Sequence, residues 1–287
     1  MQLACTKPFD WEKLLNFFAG RATPGVESVA ANAYQRSLQV DGRHCIVEVR
    51  PDPAGDGLLV SCTAGTSDSA RAVQEFARTV FDVDAPILEI HSALAKDHTL
   101  RTMLKTHPGV RVPGAWDGFE LTIRAILGQQ ISVKAATTIA GRIAERYGEP
   151  LEINDETLTR VFPTPLKLSR ARFNKLGLVQ SRIDTIRRVA SATVQGDIRF
   201  DGSQDLAELR QALLAIKGIG DWTTEYICMR AMKDADAFPG SDLGLVSAIA
   251  PPARVTPKEL TLRAEQWRPW RAYAAMLLWG SLQGSGG

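Results

Sequence analysis

Two hydrophobic periods divide the chain. Residues 11–21 set Leu14, Leu15, Phe17 and Phe18 at helical spacing, and Thr23-Pro24-Gly25 ends that helix. Three alternating stretches follow, 34–40, 45–50 and 58–63. The turns between them hold Asp41-Gly42 and the run Pro51-Asp52-Pro53-Ala54-Gly55-Asp56-Gly57, residues that hairpins use. Residues 69–81 return to the helical period, with Ala70, Val73, Phe76, Ala77 and Val80 on one side. From Pro86 onward no strand pattern of any length appears. Helices are predicted over 86–96, 98–107, 116–127, 132–147, 155–162, 164–168, 170–176, 180–195, 203–216, 221–230, 242–250, 256–266 and 268–282, separated by short loops with Pro or Gly. The class is α+β: a small N-terminal antiparallel sheet domain with helices, then a helical array in two subdomains with a cleft between them. The tail Gly284-Ser285-Gly286-Gly287 reads as a floppy end.

Composition narrows the function classes. The 287 residues are 45% hydrophobic and 23% charged, enough for two or three packed units. A formal net charge of only +2 excludes a protein that coats DNA by bulk charge, though not one with a local basic face. Cys5, Cys45, Cys62 and Cys228 lie far apart, and His44, His91, His98 and His107 show no ligand spacing, so no metal site and no cofactor are expected. No signal peptide or membrane-length apolar run is visible, which predicts a soluble, cytoplasmic protein.

Chemistry concentrates between Leu213 and Asp242. An apolar helix end runs into Lys217-Gly218-Ile219-Gly220, and a second helix begins near Asp221. Glycine accepts backbone angles that other residues resist and lets another backbone come close. The unpaired N–H groups of the following helix point donors and a partial positive charge outward, which suits a phosphate. An ordinary helix–helix turn uses the same residues, so a Gly-x-Gly alone is a weak signal. Trp222 and Tyr226 share a helix face at i and i+4, a spacing more often spent on core packing. The loop Phe238-Pro239-Gly240-Ser241 then leads to Asp242, which could equally cap the next helix. Asp221 reads as a cap, and Asp234 and Asp236 as surface charges. Arg170, Arg172, Lys175, Arg182, Arg187 and Arg188 cluster before the hairpin, as a solvated face or as backbone contacts.

This stretch resembles the helix-hairpin-helix, Gly/Pro-rich loop and aspartate of DNA base-excision glycosylases. Chain-wide, the sequence resembles the bacterial DNA-3-methyladenine glycosylase II family. The residues that carry the likeness are Phe9-Asp10-Trp11, Arg21-Ala22, Gly25-Val26-Glu27, 34–38, Arg111-Val112-Pro113-Gly114, 124–133, Phe162-Pro163-Thr164-Pro165 and 267–274. The resemblance implies an N-terminal sheet domain over 1–86. A helical subdomain built from 87–116 and 235–287 would carry a catalytic Asp242. A second, 117–234, would hold the helix-hairpin-helix at about 205–230. It implies Asp242 beside the positive charge that builds on the sugar as an N-glycosidic bond breaks. It implies a base pocket of Phe17, Trp222, Tyr226, Leu243 and Trp279, whose ring faces attract a cationic alkylated purine. Such a base leaves without a dedicated general acid.

DNA contacts implied are Lys217, Gly218, Ile219, Gly220 and Thr223 at the hairpin. Gln129 and Gln130 form a turn whose plug fills the gap left by a flipped nucleotide. The partner is double-stranded DNA with alkylated bases, bound by a monomer away from any membrane. This sequence departs from relatives at Lys217 (often proline), Leu243 (tyrosine) and Gln130 (leucine in some). Bifunctional relatives place a Schiff-base lysine where Trp222 stands, so the expected enzyme is a monofunctional DNA glycosylase. A non-catalytic hairpin DNA binder needs neither Asp242 nor the aromatic pocket, and a glycosylase-lyase is disfavoured by Trp222.

Overall fold

Five antiparallel strands open the chain: β1 (Gln2–Ala4), β2 (Glu27–Ala30), β3 (Ala33–Val40), β4 (Arg43–Pro51) and β5 (Gly57–Cys62), in the order β1-β5-β4-β3-β2. This is a computed structural model, and it describes residues 1–55, 57–63, 66–249 and 255–283. The β3–β4 turn puts Asp41 and Gly42 both at positive φ, 50° and 75°, as a two-residue hairpin with matching twist requires. Ala31-Asn32 does the same between β2 and β3, with φ of 48° and 61°. Strands β1 and β2 have too few residues to show alternation, so the pattern missed them.

Helices α1 (Trp11–Ala19) and α2 (Ser67–Phe81) lie with the sheet. Asp10 and Thr66 cap their first turns by accepting backbone N–H groups. The core between them is aromatic: Phe18, Tyr34 and Phe81 stand with ring centroids 5.0–5.6 Å apart, and Trp116 lies parallel to Tyr34. Phe76 departs from the expected buried face of α2. It is 47% exposed and stacks on Trp116 from outside.

The remainder is helical: α3 (Ile87–Leu94), α4 (His98–Thr106), α5 (Gly118–Gly128), α6 (Val133–Tyr147), α7 (Pro165–Ser169), α8 (Gln180–Gln195), α9 (Leu206–Ala215), α10 (Asp221–Ala231), α11 (Leu243–Ile249), α12 (Pro257–Ala264) and α13 (Arg271–Gln283), with a 3-10 turn at Glu265–Trp267. One core joins α5, α6, α8 and α9 with Ile227 of α10. Another joins α3, α4, α11, α12 and α13 with Cys228 and Met229 of the same helix. Helix α10 therefore stands between two cores. Asp97 ties the second together: it caps α4 and accepts from Arg263 of α12 and from the Trp267 indole.

Two expected helices are absent. Over 155–162 the chain bends at 156–157 and then forms isolated bridges, Leu158 to Gly25 and Arg160 to Pro150. Asp155 spends its side chain on the Thr157 and Leu158 N–H groups, and Pro163 holds Phe162 out of the helical region. Over 170–176 the chain turns instead, with Lys175 at φ 58° and Gly177 at φ 76°. Among the described residues no helix is long and apolar enough to cross a membrane. Asp56 of the expected β4–β5 turn, Ala250 and the tail 284–287 lie outside the described residues.

A buried ion cluster joins the sheet to α5. Arg36 of β3 donates to Glu120 at 2.7 Å, and Arg124 donates to Glu27 at 2.7 Å. Tyr34 OH and the Thr23 N–H add to Glu27. Burial pushes both carboxyls up. The arginines and hydrogen bonds outweigh it at Glu27, which ends below the ordinary range, but not at Glu120.

Candidate active site

Helix α9 ends at a hairpin whose shape needs glycine at one position. Gly218 sits at φ 103°, and a Cβ there would lie 2.1 Å from Thr185 Oγ1 on α8. Gly220 is the N-cap of α10 and offers no side chain to its first turn. The first helical bond is Thr224 N–H to Gly220 O at 3.0 Å, so the earlier N–H groups stay available. Lys217, Gly218 and Gly220 are exposed. Ile219 and Thr223 were expected at a DNA surface, but their side chains turn inward, 6% and 2% exposed. The Ile219 side chain packs in the core, and Thr223 Oγ1 accepts from Gln129. These two positions can offer only backbone.

The hairpin helix carries a ladder inward. Trp222, Tyr226 and Arg230 follow at successive i+4 steps on one face of α10. They line a cavity of about 410 Å³ together with Phe17, Arg21, Arg124, Ile131, Asp242, Trp279 and Leu282. The Trp222 and Tyr226 rings stack 5.4 Å apart at 9°, and Trp279 meets Tyr226 edge-on at 6.3 Å. Asp242 accepts three N–H groups: Trp222 Nε1 at 2.8 Å, Trp279 Nε1 at 2.9 Å and the Leu245 backbone at 3.0 Å. The last bond makes it the cap of α11 as well, so capping and display occur together. Gly244 permits this geometry, since a Cβ there would lie 2.9 Å from Asp242 Oδ1.

At the other end stand three arginines. Arg230 donates to Pro113 O, Gly114 O and Tyr226 OH at 2.8–2.9 Å. The Arg21 and Arg230 guanidiniums lie 3.8 and 4.8 Å from the Phe17 ring centroid. Arg124 donates to Arg21 O and is paired with Glu27. Burial alone would raise the Tyr226 phenol. Arg230, Arg21 and Arg124 outweigh it and hold that phenol below the usual tyrosine range.

Phe17, Trp222, Tyr226, Trp279 and Asp242 thus meet at one cavity, and Leu243 does not line it. It is 79% exposed and points away, because Asp242 takes the cap position and turns the next residue outward. The arginines were the part that sequence reasoning left without a role. A single arginine in a helical pattern carries no local signal, although Arg21 and Arg124 lay within the stretches that carried the resemblance. Gln129 and Gln130 part company: Gln129 is bonded to the hairpin, while Gln130 is exposed at φ 60°. In the basic cluster, Arg182, Arg187 and Arg188 donate to backbone carbonyls at Gln129, Ala171 and Lys217, while Arg170, Arg172 and Lys175 are exposed.

Known proteins resemble this chain over most of its length. Residues 1–117 match the model of the AlkA N-terminal domain, and residues 123–271 that of the HhH-GPD superfamily base excision DNA repair protein. The chain is 33% identical over 275 residues to DNA-3-methyladenine glycosylase 2 of Escherichia coli, covering 95% of this chain and 94% of that one. It is 35% identical over 288 residues to a probable bifunctional transcriptional activator/DNA repair enzyme AlkA of Mycobacterium tuberculosis, covering 99% of this chain and 57% of that protein. The chain therefore spans little more than half of that relative's length. The fold matches a 3-methyladenine DNA-glycosylase from Archaeoglobus fulgidus with a TM-score of 0.85 over 97% of each chain, at 22% identity. It also matches a Schizosaccharomyces pombe 3-methyladenine DNA glycosylase in complex with abasic DNA, with a TM-score of 0.57 and 25% identity, over 67% of this chain and 95% of that one.

Proposed function

This chain belongs to the HhH-GPD superfamily of base excision DNA repair proteins, and from that premise we propose that it is a monofunctional DNA glycosylase that removes alkylated purines from duplex DNA. The observation that carries the reading is the Asp242 carboxylate, held by two indole N–H groups and a backbone N–H at an aromatic cavity. A fixed carboxylate stabilises the oxocarbenium charge on the deoxyribose as the base departs, and it orients the water that completes hydrolysis. The rings of Trp222, Tyr226 and Trp279 offer electron-rich faces to a cationic 3-methyladenine or 7-methylguanine, which leaves without prior protonation.

The hairpin binds backbone phosphate through the free N–H groups of α10 and the Lys217 charge, independent of sequence. Gln130 fills the gap behind the flipped nucleotide. Trp222 occupies the position of a Schiff-base lysine and instead orients Asp242, so strand cleavage does not accompany base release. We read the three cores as three units, 1–86, 87–116 with 235–287, and 117–234, working as a monomer in the cytoplasm. The test is release of methylated bases from duplex DNA with borohydride added. Free base with no trapped protein–DNA adduct supports the reading. An adduct overturns monofunctionality, and no base release overturns the glycosylase assignment.

A further inference from the structure

We infer that Gln129 is a latch whose side-chain amide fixes the plug turn to the phosphate-binding hairpin, so that the hairpin sets where Gln130 stands. This rests on the glycosylase reading and adds to it a positioning residue that does not itself touch the base. The Gln129 backbone leaves α5 at φ −60°, ψ 122° as the helix's C-cap. Its Nε2 donates to Gly218 O and to Thr223 Oγ1, each at 3.0 Å. One acceptor belongs to the hairpin and the other to the first turn of α10. The Gln129 carbonyl accepts from Arg182 of α8, and Thr185 and Arg188 of α8 donate to Lys217 O. Plug turn, hairpin and α8 therefore close into one polar knot.

Residue type matters here. A primary amide carries two N–H donors on one nitrogen, matching two acceptors at equal distance. Glutamate of the same length has no donor for them, and leucine of similar size has no polar atom. The residue that follows shows what the knot is for. Gln130 lies at φ 60°, a region that residues with a side chain occupy at a cost, and its side chain is exposed. A turn held at Gln129 through both its side chain and its carbonyl keeps the next residue in place, where a loose one would relax.

The test is single-turnover release of 3-methyladenine from a fully paired duplex and from a one-nucleotide bulge that has no base opposite the lesion. Gln129→Leu is expected to slow release from the paired duplex by about tenfold, the size of one lost hydrogen-bonded amide, and by clearly less from the bulge. Thr223→Val removes one acceptor and keeps the shape, so it should show the same duplex-over-bulge bias. The double variant should be no slower than Gln129→Leu alone. Equal losses on both substrates, or multiplying losses in the double variant, would overturn the latch. If Gln129→Leu does not fold, Thr223→Val alone decides by its bias between the substrates. If the unaltered protein releases no base, the glycosylase reading falls separately. The latch is then read without chemistry, from 2-aminopurine placed opposite an abasic-site analogue. Its fluorescence change on binding should shrink in Gln129→Leu, and an unchanged response would overturn the latch.

Discussion

The two ends of the cavity are built on opposite chemistry although one helix serves both. At the hairpin end Trp222 turns its N–H to an anion, Asp242. Two helical turns further along α10, about 12 Å by the rise of an α-helix, Arg230 stands with Arg21 and Arg124. Arg124 is compensated by Glu27, whereas Arg230 donates to two carbonyls and a phenol. On the proposed reading, a developing sugar cation is favoured at the first end and a cationic base edge is opposed at the second. Attraction of a charged base therefore falls to the ring faces between. On the same reading that division separates charge stabilisation at the sugar from recognition of the base, although the two indoles serve both.

The largest effect should come from the anionic end. Asp242→Asn is expected to lower single-turnover base release by about 10²–10³-fold, the loss seen when one preorganised electrostatic group is removed. Binding to duplex DNA should persist, since the hairpin is untouched. Asparagine keeps one acceptor oxygen but turns an NH₂ toward the second indole N–H, so thermal stability should fall slightly as well. Full base release by the folded variant would remove Asp242 from the mechanism.

At the cationic end the expected cost is in stability. Arg230 is 6% exposed, and Arg230→Met strands the Pro113 and Gly114 carbonyls. Unpaired buried acceptors suggest a loss of about 2–4 kcal/mol in unfolding free energy by denaturant titration. A change within about 0.5 kcal/mol, the range of ordinary surface substitutions, would mean that water replaces the guanidinium and that the end is open.

The ring faces should show a smaller, selective effect. A cation over an indole gains roughly 0.5–2 kcal/mol beyond stacking, so Trp222→Ala and Trp279→Ala should slow 7-methylguanine release more than hypoxanthine release, by up to about tenfold. Both indoles also hold Asp242, so both substrates will slow together, and only the ratio reports recognition. An unchanged ratio would leave the rings as shape and as anchors for the carboxylate.

The anionic end was legible in the sequence and the cationic end was not, for a physical reason. Glycine in a turn, an aspartate after a Gly/Pro loop and aromatics at i and i+4 are local patterns, each tied to backbone geometry. Arg21, Arg124 and Arg230 come from three separate elements and acquire meaning only when the sheet packs on α5 and α10. The same limit explains the fold. Helices with a periodic apolar face were found within a few residues. The stretch 155–162 went wrong because Asp155 and Pro163 act on the backbone while the apolar spacing still mimics a helix. That Leu243 is exposed beside the cavity was not legible either, because it follows the residue that caps α11.

The smallest effect tests whether the far end is truly cationic, through Tyr226. Burial opposes ionisation of its phenol, yet Arg230, Arg21 and Arg124 bring it below the ordinary tyrosine range. In the unfolded chain the group should titrate near the ordinary tyrosine value of about 10. Folded protein then binds fewer protons at this site than unfolded protein across the interval between the two values. Stability from this group therefore grows as pH rises through the interval, is fully present above the unfolded value, and is lost as pH falls through the folded one. The measurement is unfolding free energy from about pH 8 to 10.5, within the range where a tyrosine can titrate, for the unaltered protein and for Tyr226→Phe. The difference between them should climb with pH, at a slope no steeper than about 1.4 kcal/mol per pH unit. A flat difference would mean that the arginines are neutralised by their surroundings, and the contrast between the two ends would reduce to the carboxylate alone. A falling difference would mean that burial wins, so that the far end repels an anion and could admit a cationic base edge after all.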